Sequence, residues 1–323
     1  MVEIPPQLVD STVVVTGGAG FIGGHLVDAL VDAAEVRVLD HLSSGSADRI
    51  PAGADLVRGD VCEEASVAAV LDGADVVFHQ AGLVSVPASV DAPVRFHEVN
   101  VDGTLGVLEG ARAADTRVVL ASSAAIYGQP QEVPIPESHP KRPASPYALD
   151  KLALDHYGRL YADLYGLETV VLRYFNVYGP GQSDAYAGVV SAFRDQAADG
   201  GPLTVHGDGT QTRDFVHVQD VVRANLAAAA TDATGRAYNV GTGTAHSVTD
   251  LAHLVRELAA ESPEIRHTSG REGDVEESTA DVVRARDELG FDATVPLRTG
   301  LADLLGAGDA EGAQGEASPG SPP

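Results

Sequence analysis

The chain has 323 residues, long for one compact core and enough for two lobes. Hydrophobic residues at 44% and charged residues at 21% are ordinary globular values, which excludes a disordered chain or a fibre. The charge is not ordinary: 21 Lys and Arg against 47 Asp and Glu leave −26, a surface that repels nucleic-acid phosphates and anionic lipid, so neither nucleic acid nor a membrane is expected as a partner.

The opening segment Met1-Val2-Glu3-Ile4-Pro5-Pro6 lacks the basic and apolar regions of a secretory signal, and no apolar run approaches the roughly 18 residues of a spanning helix. A cytoplasmic protein is expected. Residues 12–16, Thr-Val-Val-Val-Thr, predict a buried strand. The turn Thr16-Gly17-Gly18-Ala19-Gly20-Phe21-Ile22-Gly23 follows and opens a helix. Glycines at 17, 20 and 23 suit a tight turn, a close backbone approach to a pyrophosphate, and close helix–strand packing. The helix N-terminus aims its unpaired N–H groups at the phosphates. A second strand over residues 35–39 leads to Asp40, placed to accept from adenosine ribose hydroxyls and to repel a 2′-phosphate, which favours NAD over NADP.

Asp60-Val61, after the third strand, is placed to meet an adenine edge, although a solvated loop acid reads the same way. Cys62 is the single cysteine, which excludes an intrachain disulfide and argues against a cysteine-based zinc site; no metal is expected. Strands follow at residues 75–78, 117–121 and 169–172, with amphipathic stretches such as 94–112 between them. This β-α-β rhythm predicts an α/β fold, a Rossmann-type doubly wound parallel sheet over residues 1–178. Beyond Gly179-Pro180-Gly181 the elements shorten, predicting a smaller α+β substrate lobe over residues 179–305, with some segments returning to the sheet. Residues 306–323, rich in Gly, Ala, Ser, Pro and acid, read as a disordered tail.

Ser145-Pro146-Tyr147-Ala148-Leu149-Asp150-Lys151 opens a helix, with Ser145 as N-cap and Pro146 in the first position. Tyr147 and Lys151 stand at i and i+4, on one face, in a chain that has only one other lysine, Lys141. A phenol titrates near pH 10, and a neighbouring ammonium with a cationic nicotinamide favours the phenolate. Tyr147 can then remove a hydroxyl proton as hydride leaves the same carbon. Ser123, at the end of the fifth strand, faces the crevice where such sheets bind ligands and can relay that proton.

Together these motifs resemble the extended short-chain dehydrogenase/reductase family, and within it the nucleotide-sugar 4-epimerases that act on UDP-glucose and UDP-N-acetylglucosamine. The likeness runs from about residue 11 to 305 and includes Phe78-His79-Gln80-Ala81-Gly82, Asn100-Val101-Asp102-Gly103-Thr104, Arg173-Tyr174-Phe175-Asn176 and Arg213-Asp214-Phe215-Val216-His217, with Arg271-Glu272-Gly273-Asp274 further on. The resemblance implies NAD as cofactor, lined by Ala81, Gly82, Asn100 and Phe175, and Ser123, Tyr147 and Lys151 as the catalytic set. It implies that Asn176, Arg213 and Arg271 hold a UDP-sugar, with residues Leu203 to Val205 beside the uracil; without the family, the two arginines read equally as surface ion pairs. Two departures stand out: His41 follows Asp40 where the family often has asparagine, and Val84 replaces a lysine found in some epimerases.

Related dehydratases carry an Asp-Glu pair after the catalytic serine or threonine, and decarboxylases a glutamate; here Ala124 and Ala125 can do neither job. What remains is oxidation at one carbon and its reversal, the minimum for 4-epimerisation through a transient 4-keto sugar. A UDP-hexuronate 4-epimerase and, more remotely, a non-catalytic NAD-binding regulator are the alternatives. Ser278 occupies a position where epimerases restricted to plain hexoses carry a tyrosine, so the resemblance implies room for an N-acetyl group. It also implies a homodimer through helices near 100–112 and 145–164, where Leu152, Tyr157, Leu160 and Leu164 recur at helical spacing. Finally, abundant short carboxylates with almost no lysine suit a halophilic cytoplasm, where molar salt shrinks the Debye length to about 3 Å.

Overall fold

A computed structural model describes residues 2–182, 188–270 and 273–306. Its centre is a seven-stranded, wholly parallel sheet. Six strands come in sequence: β1 (Thr12–Thr16), β2 (Glu35–Asp40), β3 (Ala54–Arg58), β4 (Val76–His79), β5 (Arg117–Ser123) and β6 (Thr169–Tyr174). Their order across the sheet is β3-β2-β1-β4-β5-β6, with a seventh strand, described below, beyond β6. This is the Rossmann order, whose direction reverses between β1 and β4. The central strands are buried on both faces, as their unbroken Val-rich runs require.

Helices α1 (Phe21–Leu30), α2 (Glu64–Leu71), α3 (Val86–Asp91), α4 (Pro93–His97), α5 (Gly103–Ala114) and α6 (Pro146–Tyr165) follow these strands. The amphipathic stretch 94–112 is not one regular helix: a π turn over Glu98–Asp102 separates α4 from α5, and carries Asn100. Such wide turns re-aim side chains that a regular helix would direct elsewhere. The start of α6 is fixed chemically, because Ser145 Oγ accepts from the Ala148 N–H at 3.1 Å and Pro146 fills the first turn. Gly166, at φ +70°, ends it in the left-handed conformation that only glycine adopts freely. The spaced apolar residues of α6 divide: Leu152 and Tyr157 pack against core clusters, whereas Leu160 and Leu164 are 44% and 62% exposed.

After β7 (Asn176–Tyr178) the chain builds the smaller elements: α7 (Val189–Ala198), β8 (Leu203–His206), β9 (Thr212–Arg213) and β10 (Phe215–His217). Helix α8 (Val218–Ala230) and strand β11 (Arg236–Val240) then return to the main sheet, where β11 pairs with β6. The remaining elements are β12 (His246–Ser247), α9 (Val248–Leu258), β13 (Ile265–Thr268), β14 (Glu277–Ser278), α10 (Val283–Leu289) and α11 (Leu297–Leu304). A separate apolar cluster, including Phe193, Leu203, Val205 and Leu251, holds this lobe together. The expected tail beyond residue 306 lies outside the described residues. No helix of the described residues is long and apolar enough to cross a membrane.

Candidate active site

A trough of about 770 Å³ runs over the carboxyl ends of β1, β2, β4 and β5 and under the smaller lobe. It lies at the β1/β4 reversal, where parallel sheets leave a crevice between diverging helices.

At one end stands the glycine turn, contributing Gly17, Gly20, Phe21, Ile22 and Gly23. Gly17 sits at φ +70°, with the Ala81 backbone 2.7 Å from where a Cβ would lie. Gly20, the N-cap of α1, brings no side-chain cap, so the first N–H groups of that helix point at the trough without a side-chain partner. Asp40, buried at the end of β2, ties the turn down: its Oδ2 accepts from the Ala19 N–H at 3.0 Å and its Oδ1 from the Leu42 N–H at 2.7 Å. Asp60 and Val61 line the same end. Burial pushes Asp60 up, but the Cys62 N–H at 3.0 Å and the nearby His41 and Arg95 hold it below the usual carboxylate range. His41 and Val84 also face the trough.

The middle of the floor is the Ala81–Gly82 loop. Asn100 was expected to line the trough; the structure instead buries it beneath this loop. Its Oδ1 accepts from the Leu83 N–H at 2.8 Å and its Nδ2 donates to the Leu83 carbonyl at 3.1 Å. A Cβ on Gly82 would stand 2.9 Å from Asn100 Oδ1. The π turn is what aims Asn100 there, a backbone event that helical periodicity does not encode. Behind it a proton-ordered chain runs through the buried His79. Ala81 N–H donates to Thr16 Oγ1, which donates to His79 Nδ1 at 2.7 Å, while His79 Nε2 donates to Thr104 Oγ1, itself donating to the Asn100 carbonyl. Burial pulls His79 down to about 3, so the ring stays neutral.

At the far end Ser123, Tyr147 and Lys151 converge, with Phe175 and Asn176 beside them. Ser123 and the Tyr147 hydroxyl face the same end, near enough that Ser123 favours the ionised phenol. Spacing sets Lys151 to press the phenol toward ionisation, but the protein groups around Tyr147 do otherwise. Burial raises Tyr147, and only Ser123 opposes that rise. Lys151 spends its Nζ on the Ala121 carbonyl at 2.8 Å, and burial pulls it down to about 8. Ala124 and Ala125 complete this wall without adding an acid or a base.

Beneath the smaller lobe, Arg213 and Ser278 face the trough from paired strands, in register on β9 and β14. Arg213 is already engaged: it donates to the Val275 carbonyl at 2.6 Å and pairs with Asp274 at 2.5 Å. Arg271 lies outside the described residues. Leu203 and Val205 do not reach the trough, because the alternation of β8 turns both side chains into the second core, where each is fully buried. Sequence reasoning also missed two supports. Gln80 donates to Tyr174 Oη and Asn225 Oδ1, closing a polar knot at the trough wall. Asp214, fully buried, collects N–H bonds from Thr242, Gly243 and Ala280, which fixes the strand carrying Arg213 against the segment carrying Ser278. Among the described residues, no group of three or more His, Cys, Asp or Glu side chains could hold a metal ion.

A sheet of this order, with a glycine turn, a buried acid at the end of β2 and a Ser-Tyr-Lys cluster on one crevice, defines a dinucleotide-dependent enzyme of the Rossmann class. The sequence matches the NAD dependent epimerase/dehydratase family over residues 13–241, and the chain belongs to that family. It is 38% identical over 301 residues to the UDP-glucose 4-epimerase of Mycolicibacterium smegmatis, covering 90% of this chain and 96% of that one. The UDP-glucose 4-epimerase of Thermotoga maritima, solved with UDP-glucose, superposes with a TM-score of 0.88 at 36% identity, covering 93% of this chain and 99% of that one. The UDP-N-acetylglucosamine 4-epimerase of Methanobrevibacter ruminantium, solved with UDP-N-acetylmuramic acid, gives 0.89 at 32% identity, covering 94% and 99%. The trough fits NAD on its own chemistry: side-chain-free N–H donors at α1, a glycine cradle that a Cβ would fill, and a buried carboxylate beside it.

Proposed function

We propose that this protein is an NAD-dependent UDP-hexose 4-epimerase, interconverting UDP-glucose and UDP-galactose and accepting the N-acetylated pair. The observation that carries the reading is that Ser123, Tyr147 and Lys151 face one end of the trough together, on a wall whose next residues are two alanines. That wall has one proton acceptor and one relay, which suffices for removing and returning a single hydroxyl proton. Elimination of water would need a further acid and base.

The glycine turn, Asp40 and the Ala81–Gly82 loop would hold NAD, which would supply reversible hydride acceptance at the sugar's C4. Tyr147 Oη takes the C4 hydroxyl proton, Ser123 Oγ holds that oxygen in line, and Lys151 contributes a buried positive charge on the same face of α6. Because burial alone raises the phenol, Tyr147 becomes a base at neutral pH only with added positive charge in the trough. Arg213 exchanges its Asp274 partner for a phosphate of the UDP, and Asn176 sits beside the sugar. Residues 1–178 serve mainly the cofactor and 179–305 mainly the sugar nucleotide. Ser278, at the trough edge, leaves room for the C2 substituent. The exposed Leu149, Leu160, Leu164 and Tyr165 of α6 support a homodimer through α5 and α6, and the acidic composition supports a cytoplasmic, salt-adapted enzyme.

The test is to incubate the NAD-loaded protein in KCl with UDP-glucose, UDP-N-acetylglucosamine and UDP-glucuronate, reading products by NMR. Inversion at C4 of the first two supports the reading. Inversion of the uronate alone, or no product from any of them, overturns it.

A further inference from the structure

A second cavity, of about 430 Å³, opens at the far edge of the main sheet, where β11 meets α6, α10 and the loop around residues 137–141. Its wall is unlike the rest of this acidic chain. Lys141, Arg159, Arg173, Arg236 and Arg284 line it, against the carboxylates Glu137 and Glu288, with Asp155 buried behind. Four arginines and Lys141, with His156 beside them, meet three carboxylates, an excess of up to two positive charges in a chain that totals −26. Lys141 is one of only two lysines in the sequence.

The excess is not consumed by internal pairing. Arg173 commits four of its five N–H donors to Asp155, Tyr127 Oη and the Glu137 carbonyl, and so serves as the fixed base of the site. The others hold donors in reserve. Arg236 gives Nη1 to Glu288 at 2.7 Å, leaving Nε and Nη2 without a hydrogen bond among the described residues. Arg284 gives Nη1 to the Ala237 carbonyl and stands 3.6 Å from Glu137, leaving Nη2. Lys141 makes one hydrogen bond, to the Glu137 carbonyl, out of three available donors. Burial first, and the neighbouring Arg173 second, pull Lys141 down to about 8, with Asp155 opposing. Guanidinium groups with unused donors and an ammonium thus line this open space.

We propose that this cavity is a binding site for a phosphoryl dianion, free or carried on a small metabolite, separate from the substrate trough. Two negative charges match the excess, and planar guanidinium forks beside a point-charge ammonium are the side chains that phosphate oxygens select. The volume exceeds that of a bare phosphate and leaves space for a small organic group. Once bound, the dianion bridges β11, α10 and the 137–141 loop.

The full-length protein, with NAD and UDP added in excess so that the trough is filled, is titrated calorimetrically with inorganic phosphate and, separately, with glucose 6-phosphate at ionic strength held constant with KCl. One saturable site per chain for either compound is expected, with affinity lost at least tenfold in the Arg236→Gln/Arg284→Gln variant and NAD binding unchanged. Tighter binding of the ester assigns the site to a phosphorylated metabolite, and equal binding assigns it to free phosphate. Absence of saturable binding, or equal affinity in the variant, overturns the proposal. The readout needs no catalysis, so it stands or falls apart from the epimerase reading.

Discussion

Gly23 faces the carbonyl of Gly17 so closely that a Cβ at position 23 would stand 2.2 Å from that oxygen, with the Gly17 carbonyl carbon 2.8 Å away. Neither atom belongs to a flexible side chain, so any substitution must move the phosphate-binding turn itself. Gly23→Ala should therefore weaken NAD binding by at least about tenfold, roughly 1.4 kcal/mol, while the distant second core stays intact. Fluorescence titration with NAD, alongside circular dichroism to confirm folding, measures this. Unchanged affinity would show that the turn does not contact the dinucleotide.

Tyr147→Phe keeps the ring that packs at the trough's end and removes only the proton acceptor. Turnover should fall by about 10²–10⁴, the usual contribution of a general base, with NAD affinity preserved. A variant retaining more than about a tenth of wild-type kcat would remove Tyr147 from the role of base.

Much of this arrangement was legible in the sequence. The first strand begins and ends where its β-branched run does, and the glycine turn, Asp40, Ser123, Tyr147 and Lys151 all reach one trough. Local patterns encode these positions, because each depends on a strand end or a helix face. The position of Asn100 beneath the Ala81–Gly82 loop was not legible, because a π turn aims it there. The inward burial of the Leu203 and Val205 side chains was not legible either, because strand alternation, not proximity in sequence, decides which side chains face the core. The electrostatics of Tyr147 were the least legible part. Spacing placed Lys151 on the same face, but spacing carries no information on burial or on the competing Ala121 carbonyl.

Ser278 stands across from Arg213 on the lining of the trough, and on the proposed reading added bulk there narrows the space for a C2 substituent. Steric exclusion works by making the larger ligand clash. Ser278→Tyr should lower kcat/KM for UDP-N-acetylglucosamine by at least about tenfold while leaving UDP-glucose within about threefold, since an open apolar pocket alone discriminates by only ~1–3 kcal/mol. Equal losses on both substrates would mean that the sugar pocket is bounded elsewhere.

With −26 charges at neutrality, mutual repulsion among carboxylates opposes folding in dilute buffer. Screening by potassium chloride shortens the reach of that repulsion from about 10 Å at 0.1 M to about 3 Å at 1 M. The melting temperature should rise across this range, as followed by calorimetry. A midpoint indifferent to KCl would reject salt adaptation.

The central claim is that C4 is inverted by oxidation and re-reduction, with Tyr147 and Ser123 handling only the hydroxyl proton. The direct test is to run the conversion of UDP-glucose in D₂O and examine the hydrogen on C4 of the UDP-galactose formed by ¹H NMR. Hydrogen that leaves and returns as hydride never exchanges with solvent, so the account predicts product that is fully protiated at C4. Deuterium at C4 would mean that the carbon is deprotonated by a protein base, and would contradict the account.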